Sequence, residues 1–127
     1  LEQTIEPNQH EVYAEVGSNI LLSCNYSSAN SLLWYKQSPG SAPQYLLLIL
    51  HSAGIEQRAD SLGPRISGIL NKEKTRVDLD ITSAEETDSA LYYCALRPTN
   101  NIKIIFGFGT KLVVLLREKH EPSYYTS

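Results

Sequence analysis

The stretch Asp88-Ser89-Ala90-Leu91-Tyr92-Tyr93-Cys94 decides the fold of this chain. Its residues alternate with a period of two, so that Ala90, Tyr92 and Cys94 share one face, as the inward side chains of a half-buried β-strand do. A tyrosine two residues before a cysteine faces the same side as the sulfur. Its hydroxyl is then able to bond a backbone group at the preceding corner. The stretch therefore predicts a strand with its tyrosine and its cysteine in the core.

The other cysteine, Cys24, lies far earlier in the chain, and Trp34 follows it by ten positions. Two cysteines this far apart fit neither a redox motif nor a zinc site, and one long-range disulfide between Cys24 and Cys94 is the natural interpretation. Such a bond places the protein in an oxidising compartment and stabilises it by about 4 kcal/mol in the chain-entropy model. Two buried free thiols are the alternative. The indole of Trp34 is large and flat enough to fill the gap beside a disulfide that joins two sheets.

The rest of the chain reads as short strands between turns. Val77, Leu79 and Ile81 alternate with polar residues, and no stretch of ten or more residues carries a helical stripe. The 127 residues are 42% hydrophobic, which is enough for one globular domain. The formal net charge of -3 is scattered, so nothing indicates binding to nucleic acid or to a membrane surface. The longest apolar run, Leu46 to Leu50, is too short to cross a bilayer. These features predict an all-β sandwich or barrel.

Five motifs give the chain a specific resemblance: Cys24, Trp34-Tyr35-Lys36-Gln37, Pro64-Arg65-Ile66-Ser67-Gly68, the stretch from Asp88 to Cys94, and Phe106-Gly107-Phe108-Gly109-Thr110. From about Ile5 to Leu115 the chain resembles the variable domain of an antigen receptor, and its sequence is most like that of a T-cell receptor alpha chain. The resemblance implies an immunoglobulin V-type β-sandwich of two antiparallel sheets with one inter-sheet disulfide, whose core contains Trp34 and Tyr92. An antibody light chain, the related delta chain, and an adhesion or co-receptor domain of the same fold are the alternatives. The last motif resembles a joining segment and disfavours an adhesion domain.

The resemblance also implies how the chain is divided. A variable domain is expected over residues 1–116, with the variable segment at about 1–96 and the joining segment at about 99–116. Residues 117–127 resemble the first residues of an alpha constant region, and we expect them to be frayed. The chain opens on polar residues, and we expect it to be a mature fragment without a signal peptide.

A surface for a partner chain is predicted on the strand of Trp34. If Trp34 points inward, Tyr35 and Gln37 point outward, and the same parity puts Tyr93 outside. Clustered exposed aromatics are typical of protein interfaces. In the family the matching positions pair with the second chain of a heterodimer, where Gln37 would meet a glutamine. The predicted pairing residues are Tyr35, Gln37, Pro43, Tyr45, Tyr93 and Phe106. The alternative is that these rings cover one another. Gly107 and Gly109 predict a bulge that brings the last strand close to that partner.

Three loops at one end of the sandwich are expected to bind the ligand, because rigid strands hold loops that are free to vary. The resemblance implies a peptide held by a histocompatibility (MHC) molecule, with the third loop over the peptide. Arg97 and Lys103 would offer positive charge there. The predicted contact residues are Ser28, Ala29, Asn30, Ser31, His51, Ser52, Ala53, Arg97, Pro98, Thr99, Asn100, Asn101, Ile102 and Lys103.

No catalytic site is expected. Glu85, Glu86 and Asp88 crowd one turn, but in the family the aspartate at this position pairs with an arginine, here Arg65, and locks a corner of the sandwich. The three histidines are isolated in sequence, and neither a metal site nor a cofactor site is indicated. Asn25-Tyr26-Ser27 is a possible N-glycosylation acceptor at Asn25.

The resemblance implies the setting as well. The domain would be the extracellular part of a plasma-membrane receptor. It would pair with a beta chain, bind peptide–MHC, and reach signalling subunits only through the rest of the chain. We expect it to make no direct membrane contact and to bind no nucleic acid.

Overall fold

The computed structural model describes residues 2–100 and 103–116. Within these residues it forms eleven strands and one 3-10 turn, Glu86–Asp88. The strands are β1 (Ile5–Pro7), β2 (Glu11–Glu15), β3 (Ile20–Tyr26), β4 (Ser31–Gln37), β5 (Gln44–Leu50), β6 (Glu56–Arg58), β7 (Ile66–Leu70), β8 (Arg76–Ile81), β9 (Ala90–Arg97), β10 (Ile105–Phe106) and β11 (Thr110–Leu115). The predicted all-β fold is confirmed.

The strands form two packed sheets. The smaller sheet has the order β1-β3-β8-β7, and the larger has the order β2-β11-β9-β4-β5-β6, with β10 also paired to β9. The first two strands belong to different sheets, and β2 pairs with β11 in parallel. The expected antiparallel arrangement holds for the other ladders, so the larger sheet is mixed at this edge. A parallel pair needs no hairpin, and here it joins the two ends of the chain.

The core between the sheets contains the predicted cysteines, tryptophan and tyrosine. The disulfide Cys24–Cys94 joins β3 of the smaller sheet to β9 of the larger one, with 6.6 Å between the Cα atoms. Trp34 and Tyr92 are fully buried beside it. Burying the indole contributes about 4–6 kcal/mol gross, from 150–250 Å² at 25 cal/mol per Å². The disulfide and this packing fix how the two sheets face each other.

A bulge interrupts the last strand at Gly107–Gly109. Phe106 is paired with Ala95 and Thr110 with Tyr92, so three residues of the bulge lie opposite two residues of β9. A Cβ on Gly107 would lie 3.1 Å from the Cys94 sulfur, and one on Gly109 would lie 3.0 Å from the Tyr93 ring. The bulge was expected to bring the strand close to a partner chain. Within the chain, both glycines lie close to the disulfide or to Tyr93. The approach to a partner chain stays a prediction.

The corner below the sandwich is held by Arg65, which forms ion pairs with Asp88 and, at 3.4 Å, with Glu85. Arg65, just before β7, donates from Nη1 and Nη2 to the two carboxylate oxygens of Asp88, at 3.0 and 3.1 Å. The backbone N–H of Glu85 also donates to Asp88 at 2.8 Å. The hydroxyl of Tyr92 donates to the carbonyl oxygen of Asp88 at 2.6 Å. Arg65 leads into the smaller sheet and Asp88 into the larger, so the pair joins the sheets a second time.

The carboxyl group of Asp88 is almost fully buried, and burial by itself would raise its pKa. The hydrogen bonds from Arg65 and from the Glu85 amide, with the charges of Arg65 and Lys36, outweigh burial and hold the pKa below its ordinary value. Asp88 is therefore an ionised structural group at neutral pH. Its surroundings do not suit an acid that must carry a proton at that pH.

Candidate functional site: the loop end and the aromatic face

Three loops meet at one end of the larger sheet, as expected. Loop 1 covers residues 27–30, loop 2 covers 51–55, and the described part of loop 3 covers 98–100 and 103–104. The backbone N–H of Asn30 donates to the carbonyl of Arg97 at 2.7 Å, and the carbonyl of Asn30 accepts from the N–H of His51 at 3.1 Å. One peptide segment of loop 1 thus connects the bases of the other two loops. The three loops form one surface, which we call the loop end.

The predicted contact residues differ in their exposure. Asn101 and Ile102 lie outside the described residues. His51 is half-buried, and the exposed members are Ser28, Asn30, Ser52, Ala53, Arg97, Thr99, Asn100 and Lys103. Arg97 is the last residue of β9 and belongs to a strand, although it was expected in a loop. An exposed strand end still presents its side chain at the loop end.

Three of the predicted contacts are wrong as surface residues. Ala29 is 4% exposed and Ser31 is fully buried, while Pro98 is also buried. Ser31 is the first residue of β4 and lies opposite Arg97 of β9. Loop 1 is short, and Ala29 turns into the core beneath it. The polar sequence of the loop does not reveal this burial. A short loop must cover the open top of the sandwich with its own small side chains.

Loop 2 rests on support that sequence reasoning did not assign to the site. The ring of Tyr26 meets that of His51 edge to face, with 5.6 Å between centroids. Burial raises the pKa of the Tyr26 phenol, which stays neutral. From the turn before β8, Lys74 donates through Nζ to the carbonyl of Ser52 at 3.1 Å. Nothing in the sequence of this turn indicates its distant contact with loop 2.

The outer surface of the larger sheet carries the cluster of rings that the sequence predicts. We call this surface, formed by Tyr35, Tyr45, Tyr93 and Phe106, the aromatic face. Tyr35 packs on Phe106 with 5.2 Å between ring centroids and on Tyr45 with 6.0 Å. Phe106 is nevertheless 52% exposed and Tyr45 is 36% exposed. The rings thus cover one another in part and still leave apolar area open to solvent.

Polar groups at the border of the aromatic face are mostly bonded within the chain. Gln37 accepts from the Tyr93 hydroxyl at 3.2 Å and donates to the carbonyl of Ser41 at 3.0 Å. Pro43 is exposed beside them. Burial raises the pKa of Tyr45, and the positive charge of Arg97 opposes that rise.

Sequence reasoning missed two exposed apolar residues, of which Leu91 lies on the side of this surface. Phe108 is 77% exposed and Leu91 is 36% exposed. A cavity of about 540 Å³, lined in part by Gln37, Leu91 and Lys111, adjoins the lower border of the face. The parity of β9 puts Leu91 on the same side as Tyr93 and would have identified it. The orientation of Phe108 depends on the bulge, which no period-two pattern reproduces.

The described residues contain neither a cluster of metal-binding side chains nor a helix that could span a membrane. No cluster of three or more histidine, cysteine, aspartate or glutamate side chains able to hold a metal ion is found there. No helix in that part of the chain is long and apolar enough to span a bilayer.

Comparison with known families agrees with this geometry. Residues 7–115 match the model described as the immunoglobulin V-set domain. The fold, the inter-sheet disulfide and the loop end define a V-type domain, the class that the match names.

Comparison with individual proteins shows which V-set domains this chain is similar to. The chain is 35% identical over 115 residues to the human T cell receptor alpha chain MC.7.G5, which covers 88% of this chain and 40% of that protein. It is 34% identical over 115 residues to the rabbit T-cell receptor alpha chain V region RL-5, covering 89% of this chain and 82% of the relative. It is 42% identical over 82 residues to human T cell receptor alpha variable 36/delta variable 7, covering 63% of this chain and 67% of the relative. The chain belongs to the immunoglobulin V-set family and, within it, to the T-cell receptor variable domains of the alpha/delta group.

Proposed function

We propose that this domain recognises antigen as the variable domain of a T-cell receptor alpha chain, paired with a beta chain through the aromatic face. The observation that carries the proposal is the position of two unlike surfaces on one sheet. The loop end offers exposed polar and cationic side chains, and the aromatic face directly below it leaves large rings half uncovered. The exposed part of these rings makes no packing contact within the chain, whereas a partner chain would bury it.

Pairing would use groups that the chain's own contacts leave available. Phe106 and Tyr45 supply exposed ring surface, and Pro43 supplies a rigid apolar edge. Gln37 has one amide hydrogen and acceptor capacity beyond its two internal bonds, which suits a reciprocal bond to a partner glutamine. The cavity beside Gln37 and Leu91 extends the apolar surface toward the lower end. Leu91 joins the proposed pairing residues.

Antigen would be bound at the loop end. A peptide held by an MHC molecule presents a long, mixed polar surface, and loops held at their bases by Asn30 are preorganised for such a surface. Arg97 and Lys103 would meet acidic groups, while Ser28, Asn30, Ser52, Thr99 and Asn100 offer adaptable hydrogen bonding. The buried Ala29, Ser31 and Pro98 would shape the loops from below. Asn101 and Ile102 remain proposed contacts of the third loop.

The chain spans 40% of the length of the human alpha chain that it matches, so the setting of the domain is also proposed. It would lie outside the cell on a plasma-membrane receptor and have no enzymatic activity. Signalling subunits would be reached through parts of the receptor beyond residues 117–127, which we interpret as the start of a constant region. The domain itself would occupy residues 1–116, with the variable segment at about 1–96 and the joining segment at about 99–116.

Use as a delta chain is the second candidate function. One relative carries both designations in its name, alpha variable 36/delta variable 7, and it has the highest identity of the three relatives described above. The same aromatic face would then pair with a gamma chain. The alpha assignment is favoured because the match to alpha chain V region RL-5 extends over 115 residues and covers 82% of that relative.

Pairing is tested by co-refolding the 127-residue chain with beta, gamma and antibody heavy variable domains and measuring mass by light scattering. We expect a one-to-one complex with beta domains and none with heavy domains. A complex with gamma domains alone would replace alpha by delta. A persistent monomer in every mixture would overturn the pairing proposal.

A further inference from the structure

Gln3 lies outside the three loops, before β1, and its side chain reaches two of them. Its Nε2 donates to the hydroxyl of Ser28 in loop 1 at 2.8 Å and to the hydroxyl of Thr99 in loop 3 at 3.2 Å. Its Oε1 accepts from the backbone N–H of Thr99, also at 3.2 Å. One carboxamide thus connects segments that are far apart in sequence, with distances in the ordinary hydrogen-bonding range.

The orientation of the carboxamide follows from chemistry. A backbone N–H can only donate, so the oxygen of Gln3 must face the amide of Thr99. The NH2 group then faces Ser28 and the Thr99 hydroxyl, and both of these oxygens are able to accept. Donor and acceptor sides of the side chain are therefore both used, and no flip of the amide would preserve the three bonds.

The backbone beside Gln3 is itself fixed to loop 1. Thr4 donates its N–H to the hydroxyl of Ser27 at 2.9 Å, and Ser27 donates its N–H to the carbonyl of Thr4 at 3.0 Å. The next residue, Ile5, pairs with Tyr26 at the start of the β1–β3 ladder. Gln3 is thus presented from a held segment, which lowers the entropy that its bonds must offset.

The contact made by Gln3 adds a second point of attachment to the loop end. Asn30 joins loop 1 to Arg97 at the base of loop 3, and Gln3 joins Ser28 to Thr99 further along both loops. Two loops tied at one point can still pivot about it, whereas two loops tied at two points move together. We propose that Gln3 is a positioning residue that couples loop 1 to loop 3. The relevance of this coupling to antigen rests on the proposed function, but the coupling is a property of the chain alone.

The first test measures the exchange of the Thr99 amide hydrogen with water by NMR on the 15N-labelled 127-residue chain. Gln3→Met keeps the length of the side chain and removes all three bonds, so we expect exchange to rise about five- to tenfold, as the loss of one modest hydrogen bond implies. Gln3→Glu keeps an acceptor for the Thr99 N–H and for both hydroxyls at pH 7, so exchange should return close to the wild-type rate. Gln57→Met, an equal change at an exposed position on β6, is the matched control and should leave Thr99 unaffected.

The second test asks whether loop 1 senses loop 3 through Gln3. Thr99→Val keeps the shape of the side chain and removes its hydroxyl, and we expect the amide resonance of Ser28 to shift. In a Gln3→Met background the same substitution should leave Ser28 unchanged. An equal Ser28 shift in both backgrounds, or wild-type Thr99 exchange in Gln3→Met, would overturn the proposal. Neither measurement involves a partner or a ligand, so its failure is distinct from a failure of pairing.

Discussion

The outer surfaces of the two sheets differ in how their side chains are covered. On the smaller sheet, Asp78 accepts from the Ser23 hydroxyl at 2.7 Å and from Arg76 at 2.9 and 3.2 Å. The stem of Arg76 and its neighbours leave the Asp78 carboxylate almost fully covered. On the larger sheet, the aromatic face leaves Phe106 and Tyr45 open. Side chains on the smaller sheet satisfy one another, whereas those on the larger sheet leave apolar area that only another molecule would cover.

Exposed apolar residues alone do not make this difference. Leu21 and Ile69 on the smaller sheet are 49% and 46% exposed, comparable with Phe106. They lie beside charged neighbours, with Leu21 opposite Asp80 and Ile69 opposite Asp78. Single apolar residues among charges are ordinary on a monomer, whereas adjoining rings are typical of an interface.

The largest expected effect is a loss of folding stability, which would disrupt the outer surfaces of both sheets together. Trp34→Ala should lower the free energy of unfolding by about 3–5 kcal/mol, because it leaves a cavity between the sheets. Urea unfolding measures the loss, and Trp34→Phe, which keeps a ring, should cost less. Near-wild-type stability of the alanine variant would contradict the placement of the indole in the shared core.

The second effect breaks the corner that joins the sheets. Asp88→Asn removes the charge that Arg65 binds and should cost about 1.5–3 kcal/mol at pH 7, the range for hydrogen bonds to charged groups. Because the pKa of Asp88 is depressed in the folded chain, its stabilisation is present above the unfolded pKa of about 3.9 and is lost as pH falls through the folded value. The difference between wild type and variant in urea unfolding should therefore shrink in acid. A difference that stays constant down to pH 2 would show that the charge of Asp88 contributes nothing.

The third effect separates the two surfaces. Phe106→Lys should leave the free energy of unfolding within about 0.5 kcal/mol of wild type, because the side chain is half exposed. It should weaken pairing with a beta variable domain by about 2 kcal/mol or more, roughly 30-fold in Kd. Leu21→Lys makes the same change at equal exposure on the smaller sheet and should alter neither quantity. Equal loss of pairing in both variants would remove the distinction between the surfaces.

The smallest effect concerns a modification of the smaller sheet. Asn25 is exposed on β3 and lies on its outer side with Ser23, away from the aromatic face. Expression in secretory cells should add a glycan, seen as a mass that Asn25→Gln loses, with no change in beta pairing. Ser27→Ala is the poorer variant, since the Ser27 hydroxyl also accepts from Thr4. If the glycosylated form paired more weakly, the placement of Asn25 away from the aromatic face would be contradicted.

The sequence was most informative where a residue's environment is set by strand parity. Cys24, Trp34 and Cys94 lie in the core, and Tyr35 and Tyr93 are partly exposed on the outward side of the same strands, as the alternation of side chains predicts. Alternation no longer predicts which side chains face outward once a bulge adds a residue to the strand that carries them. The bulge at Gly107–Gly109 adds one residue and determines how far Phe108 is exposed, which alternation does not provide.

Loop residues were harder for a different reason. Ala29, Ser31 and Pro98 look like surface residues by type, and their burial depends on how a short loop closes over the core. The contacts of Gln3 with Ser28 and Thr99 join positions that no local pattern relates. Such long-range side-chain contacts arise only once the sheets have set the ends of the chain side by side.

The parallel ladder between β2 and β11 has a consequence for synthesis. It pairs Glu11 with Lys111, so one edge of the larger sheet cannot close until nearly the whole domain has left the ribosome. Until then the nascent chain carries β2 without its partner, and unpaired strand edges favour aggregation. Contacts between such distant residues also slow folding. β11, the last of the described strands, thus completes the edge at β2, and a chain released before β11 would carry that edge unpaired.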